Sequence, residues 1–274
     1  MFDEFHGLNM TTIITVVRDF QMYERFIRAN SNCQGCRFEP IDNSVENVPI
    51  PRRYNRFLDE YDYTKPAWFV FCHEDFEFFE NVMDICSGLK KDSLYGAAGC
   101  RRVGFGGFGK QVVFGNINQC HRIDDGLSWQ PGRHIHSMCE VETFDCCCLM
   151  VHSSLINDRL LRFDEKLEFD MYVEDFCAFA DVAWGIKSYV LPIRAAHHSS
   201  SLVTTRLFRH LPYLRNKYPN HLFVGTCSYF GTPTWQKKLQ DGILRFLRLF
   251  HVGCERHEEI KGSVKLNLCS NPEN

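Results

Sequence analysis

No run of 18 or more apolar residues occurs in the 274-residue chain, so the sequence offers no membrane-spanning helix. A basic n-region is missing as well. Met1-Phe2-Asp3-Glu4-Phe5-His6 places acids where a signal peptide would carry lysine or arginine. Nor is there an excess of charge of one sign: 31 Lys and Arg against 34 Asp and Glu leave a formal charge of -3. Arg52-Arg53 and Arg101-Arg102 are isolated basic pairs, which argues against a nucleic-acid partner. No internal repeat is visible. The expectation from these absences is a cytoplasmic protein that does not bind nucleic acid.

Apolar and aromatic residues are plentiful. Hydrophobic residues make up 45% of the chain and 24 of its residues are Phe, enough for a full core in one large α/β domain with a small appendage. The 14 cysteines sit within apolar runs such as Phe71-Cys72 and Cys146-Cys147-Cys148-Leu149, where they read as small hydrophobes in a reducing compartment. Cys33-Gln34-Gly35-Cys36 lacks the second ligand pair that structural zinc requires.

The chain opens with the β-branched run Thr12-Ile13-Ile14-Thr15-Val16-Val17, a buried strand by composition. A helical period follows through Tyr23, Phe26 and Ile27. Arg37 to Asn43 reads as a second strand, Pro51 to Tyr61 as a helix, and Ala67 to Cys72 as a third strand. The alternation strand, helix, strand, helix, strand implies a mostly parallel, Rossmann-like sheet flanked by helices. Ligands bind at the carboxyl ends of such strands. Val17-Arg18, Asp42-Asn43 and His73-Glu74-Asp75 all fall there and are expected to line one crevice.

Farther on, a helix is expected from Phe76 to Gly88, an irregular stretch over 93–145, and a buried strand from Val141 to Val151. A helix from Val173 to Ala183 closes at Gly185, and a strand over Ser188–Ile193 leads into His197-His198. The expected domains are 1–205, catalytic, and 206–274, a helical basic C-terminal extension packed on it. Within the extension, Leu239, Ile243, Phe246, Leu247 and Phe250 form an apolar stripe opposite Lys238, Asp241, Arg245 and Arg248. That amphipathic helix would pack on the domain or touch a membrane surface peripherally.

Three clusters carry chemistry. Glu74 and Asp75 at a strand end can hold a hard divalent cation against a diphosphate, or simply favour the start of a following helix. Asp175, with Glu174 beside it, can act as a base toward a hydroxyl, or cap its helix. His197 and His198 can complete a metal site, or sit solvated in a loop. Gly104-Phe105-Gly106-Gly107-Phe108-Gly109-Lys110 satisfies a dinucleotide-binding pattern. It is followed by strand-like residues, and Gln111 stands where a phosphate loop needs Ser or Thr, so a flexible turn over the site is expected instead.

The ordered set Arg18-Asp19, Ile41-Asp42-Asn43, Tyr54-Asn55, His73-Glu74-Asp75, Tyr95-Gly96-Ala97-Ala98-Gly99, Phe144-Asp145, Phe163-Asp164-Glu165, Tyr172-Val173-Glu174-Asp175 and His197-His198-Ser199 resembles glycosyltransferase family two. More narrowly, it resembles that family's bacterial "glycosyltransferase-like" relatives with the GT-A fold. The similarity covers roughly residues 12–200. It implies an inverting transferase that moves a sugar from a nucleotide-diphosphate donor, UDP-linked, to a glycan or lipid-linked glycan of the cell surface, with Mn²⁺ or Mg²⁺ as cofactor. On this resemblance Asp42 contacts the base, with Asn43 and Asn55 near the same pocket. Val17, Arg18, His73, Glu74 and Asp145 border the nucleotide-sugar, Asp75 holds the metal with His197 or His198, and Asp175 is the catalytic base. His73 departs from the family, which has an acid as the first residue of its DxD motif. A sugar-phosphate nucleotidyltransferase and a degenerate, non-catalytic binding protein are the alternatives.

Overall fold

The computed structural model describes residues 10–104, 110–120, 128–199 and 205–231. Strand β1 (Met10–Val17) leads into α1 (Phe20–Tyr23), capped by the Asp19 carboxylate and continued by a π-helical turn over Glu24–Arg28. Next come β2 (Arg37–Asp42), α2 (Ile50–Glu60) with a proline in its first turn, and β3 (Ala67–Cys72). Then follow β4 (Phe76–Phe78), α3 (Val82–Ser87), β5 (Leu94–Gly96), β6 (Ala98–Val103), β7 (Lys110–Cys120), β8 (Ser128–Trp129), β9 (Cys139–Val141) and β10 (Thr143–Phe144). The described chain ends with β11 (Cys148–His152), α4 (Ser153–Arg159), α5 (Tyr172–Trp184), β12 (Ser188–Val190), β13 (Arg194–His197), α6 (Thr205–Lys217), β14 (Leu222–Val224) and β15 (Tyr229–Gly231).

The fold is α/β, and its main sheet is mixed. Seven strands run in the order β2-β1-β3-β11-β5-β12-β9. The first three are parallel, as expected, but β11 enters antiparallel between β3 and β5. The strand–helix alternation that signals parallel pairing holds only as far as β3. A second sheet runs β10-β6-β7-β13-β4, with β8 beside β7. Burial follows position. All six residues of central β3 are buried, which requires a continuous apolar run. Edge strand β2 is largely uncovered and carries Pro40, which an edge tolerates because no ladder bond is lost.

Three expectations for local structure are corrected. The helix placed over 76–88 is a strand followed by a shorter helix. Phe76 and Phe78 are buried on either side of Glu77, a period of two, and the Asn81 side chain caps α3 by accepting from Asp84 N. The stretch 93–145 is rich in strands, because β6 and β7 pair over six residues from Ala98↔Gly115 to Val103↔Lys110. This antiparallel pair brackets the glycine-rich segment, whose residues 105–109 lie outside the described set. The strand expected over 141–151 breaks at Asp145, whose Oδ1 accepts from Cys147 N at 3.1 Å and turns the chain.

The chain divides into two compact units. One holds residues up to 200 together with 223–228; the other holds 201–222 and 229 onward, including α6 and β15. The amphipathic stripe from Leu239 to Phe250 lies outside the described residues. No helix among the described residues is long and apolar enough to cross a membrane.

An aromatic cluster links this core to the helix that approaches the site. The Phe163 ring lies 5.2 Å from Phe71, 5.3 Å from Tyr54, 6.0 Å from Tyr172 and 4.6 Å from Phe176. Phe163→Ala is expected to cost about 3–5 kcal/mol, read as a lower denaturant midpoint. A loss below about 1 kcal/mol would show that the cluster collapses around the gap.

Candidate functional site

The site is built where β3 and β13 end. Beyond β3, His73 N donates to Cys147 O at 3.1 Å, extending the β3·β11 ladder by one step. This fixes the backbone that carries His73-Glu74-Asp75. On the other side, β13 pairs with β4 and β7, setting His197 opposite Phe76 and Gln119. His198 N donates to Asp75 O at 2.9 Å, joining the two strand ends directly.

These constraints bring His73, Asp75 and His197 together. One donor atom from each lies within 4.8 Å of the others, and the same holds for Asp145, Cys147 and His197. His197 Nε2 stands 3.3 Å from Asp75 Oδ1. Both atoms are shielded from solvent, and neither has a hydrogen-bond partner of good alignment. Burial alone would raise the Asp75 carboxyl, but the His197 and His73 imidazoles outweigh it and hold the pKa at about 2. Burial would lower His197, yet the Asp75 charge more than offsets it and leaves the imidazole above its ordinary value. For His73 burial dominates, and its pKa falls.

Neighbouring groups orient the two rings. Gln119 Oε1 lies 3.2 Å from His197 Nδ1, and the Tyr172 hydroxyl lies 2.9 Å from His73 Nε2. Tyr172 OH also donates to Cys146 O at 3.3 Å. His198 goes elsewhere. It follows the last residue of β13, where successive side chains alternate faces, so it stacks on Phe26 with ring centres 4.0 Å apart and reaches Glu77 Oε2 at 2.8 Å.

Acids border the cluster on the side of α5. Asp145 Oδ2 accepts from Thr226 Oγ1 at 3.0 Å. Cys146 Sγ donates to Glu174 Oε2, also at 3.0 Å. Burial and the Asp145 charge push the Glu174 carboxyl up to about 8, so it stays largely protonated at neutral pH. Asp175 is likewise buried in the first turn of α5, its amide bonded to Met171 O at 2.9 Å.

The other expected site residues do not join this group. Glu74 turns back and accepts from the backbone amides of Arg18 and Asp19. Asp42 accepts from Ser44 N at 2.9 Å and Ser44 Oγ at 2.7 Å. Asn43 spends its amide on Val48 and Arg53. Asn55 bonds both backbone groups of Phe163 and also Glu165 Oε1. The amides of these two asparagines hold loops in place. Val17 is buried, and its carbonyl accepts from Asn43 N. Two cavities, of about 450 and 530 Å³, lie elsewhere: the first beside Arg37, Arg53 and Tyr61, the second beside Lys90 and Arg159. Neither is lined by His73, Asp75 or His197, so the functional reading rests on donor chemistry and not on a hollow.

Gln119, Cys147 and Thr226 had no role in the sequence reading. Cys147 looked like core filler inside a cysteine run, and Gln119 sat in a stretch read as irregular. Thr226 reaches Asp145 from 81 residues away, a distance over which a local pattern carries no signal.

No family model and no curated protein sequence matches the chain. Among solved structures, the chain is similar to GalNAc-T7 crystallised with UDP, GalNAc and Mn²⁺, with a TM-score of 0.48 and 8% identity over 79% of this chain and 49% of that one. It is also similar to residues 1–349 of S. aureus TarS, with a TM-score of 0.42 and 9% identity over 69% of this chain and 60% of that one. The chain thus spans about half the length of the first and three-fifths of the second.

Proposed function

We propose that the chain is a metal-dependent glycosyltransferase of GT-A type. It would move a sugar, with inversion, from a UDP-linked donor to a hydroxyl of a glycan or lipid-linked glycan. The observation that carries the reading is the convergence of His73, Asp75 and His197 at two adjoining strand ends.

These residues fit a divalent cation. Two shielded atoms, Asp75 Oδ1 and His197 Nε2, face each other without a well-aligned partner, and Asp75 is ionised far below neutral pH. Asp75, His73 and His197 would hold the metal, which when bound offsets the negative charge that develops on a departing diphosphate. Gln119 and Tyr172 are the outer partners that orient the two imidazoles, a role on which metal affinity depends.

The remaining chemistry belongs to side chains. As the acceptor oxygen bonds to the anomeric carbon, the carbon–oxygen bond to the diphosphate breaks with its electron pair, and the acceptor proton passes to Asp175. Glu174, held neutral beside Asp145, adds no second negative charge next to the donor's phosphates.

Calorimetric titration of UDP, then GDP, with and without Mn²⁺ tests the proposal. The expected result is UDP binding that requires Mn²⁺ and is lost in Asp75→Ala. Nucleotide binding indifferent to both metal and substitution, or no binding at all, overturns it.

A further inference from the structure

We infer that Cys147 is a ligand of the same metal, and that the centre therefore selects a borderline cation of the zinc and cobalt type over magnesium or calcium. This inference deepens the proposed metal site and rests on it.

Strand register places the thiol. Cys148 is paired with Cys72 across β11 and β3, and the bond from His73 N to Cys147 O carries the antiparallel ladder one residue further. Residues directly opposite in such a ladder point to the same face, so Cys147 and His73 share one. The neighbouring cysteines are committed elsewhere. Cys146 donates to Glu174, and Cys148, next along the chain in β11, points to the opposite face from Cys147. Asp145 pins the turn by accepting from Cys147 N. The result is the second donor set, Asp145, Cys147 and His197, each atom within 4.8 Å of the others. His197 belongs to both sets. It is 8% exposed, and its Nε2 has no well-aligned hydrogen-bond partner.

Donor chemistry then decides the cation. Magnesium favours oxygen ligands and keeps several of its waters. The thiolate, imidazole and carboxylate of Cys147, His197 and Asp145 instead suit zinc and other borderline metals. On binding, the Cys147 thiol loses its proton to solvent while the sulfur lone pair forms the metal bond, with no change in oxidation state.

The test uses the full chain loaded with one equivalent of Zn²⁺ or Co²⁺. X-ray absorption at the zinc edge is expected to show a sulfur neighbour at about 2.3 Å beside nitrogen and oxygen at about 2.0–2.1 Å. The cobalt form is expected to show a near-ultraviolet sulfur-to-metal band that Cys147→Ser abolishes and that Cys146→Ser and Cys148→Ser preserve. If Cys147→Ser does not fold, the sulfur shell is read in Cys33→Ser/Cys36→Ser, Cys146→Ser and Cys148→Ser proteins, and its loss in any of them overturns the assignment. A shell of nitrogen and oxygen only, a band that survives Cys147→Ser, or no bound metal overturns the inference. UDP titration of the same samples separates the two readings. UDP binding with a sulfur-free shell removes Cys147 and leaves glycosyl transfer standing. A sulfur shell without UDP binding does the opposite.

Discussion

Asp175→Asn is expected to lower turnover about 10²- to 10⁴-fold, the usual cost of losing a positioned general base, while donor nucleotide binds as before. The substitution keeps the size of a side chain that is 1% exposed in the first turn of α5 and removes only its basicity. On the proposed reading the donor is held through His73, Asp75 and His197, away from α5, so the affinity for UDP with metal should stay within about twofold. Comparing turnover and nucleotide affinity in the same preparation checks the assignment. Undiminished turnover would exclude Asp175 as the base. Loss of both turnover and binding would mean that Asp175 supports the fold of the site.

The second large effect is on stability and comes from Glu174. Its carboxyl titrates at about 8 in the folded chain against an ordinary value of 4.5, because burial and Asp145 disfavour the charged form. Between these values the folded protein holds a proton that the unfolded chain has released. Stability therefore falls as pH rises through this window and levels off above it. The accumulated loss is on the order of 5 kcal/mol. Glu174→Gln keeps the shape and cannot ionise, so urea unfolding between about pH 5 and about pH 9 should show a much flatter slope in the variant. Equal slopes in the two proteins would rule out Glu174 as the source.

Much of the fold could be read before the structure because its first part obeys local rules. The run Thr12 to Val17 lies within β1, Pro51 stands in the first turn of α2, and Ala67 to Cys72 is β3 residue for residue. Helix α5 stops at Gly185, which adopts a φ of +67°. Beyond β3 the pattern loses its hold. The six-residue pairing of β6 with β7 and the antiparallel entry of β11 are non-local contacts, and a short strand looks the same whether its partner runs parallel or not. The helix expected at Phe76 failed for a readable reason, since Asn81 was an available cap.

The site divides along the same line. His73 and Asp75 could be found because they end a strand recognisable by composition. The difference between His197 and His198 needed the exact end of β13, since one residue's shift exchanges the two faces. Asp42, Asn43 and Asn55 have the residue types of binding groups. In the fold Asp42 Oδ1 accepts from Ser44, the Asn43 amide bonds Val48 and Arg53, and the Asn55 amide bonds Phe163 and Glu165. Side-chain type alone does not distinguish a group that meets a ligand from one that ties down a loop.

The segment 223–228, which belongs to the first unit although 22 intervening residues belong to the second, bears on how the chain comes off the ribosome. Val224 O accepts from Thr143 Oγ1 at 2.6 Å and from Cys100 Sγ at 3.0 Å, and Thr226 holds Asp145. Until that segment emerges, Thr143 and Cys100 lack the Val224 carbonyl, and Asp145 is unrestrained on that side. Contacts closed over so long a loop form late. The sheet can therefore assemble during synthesis, while the acid side of the site is completed only after the second unit has begun to appear.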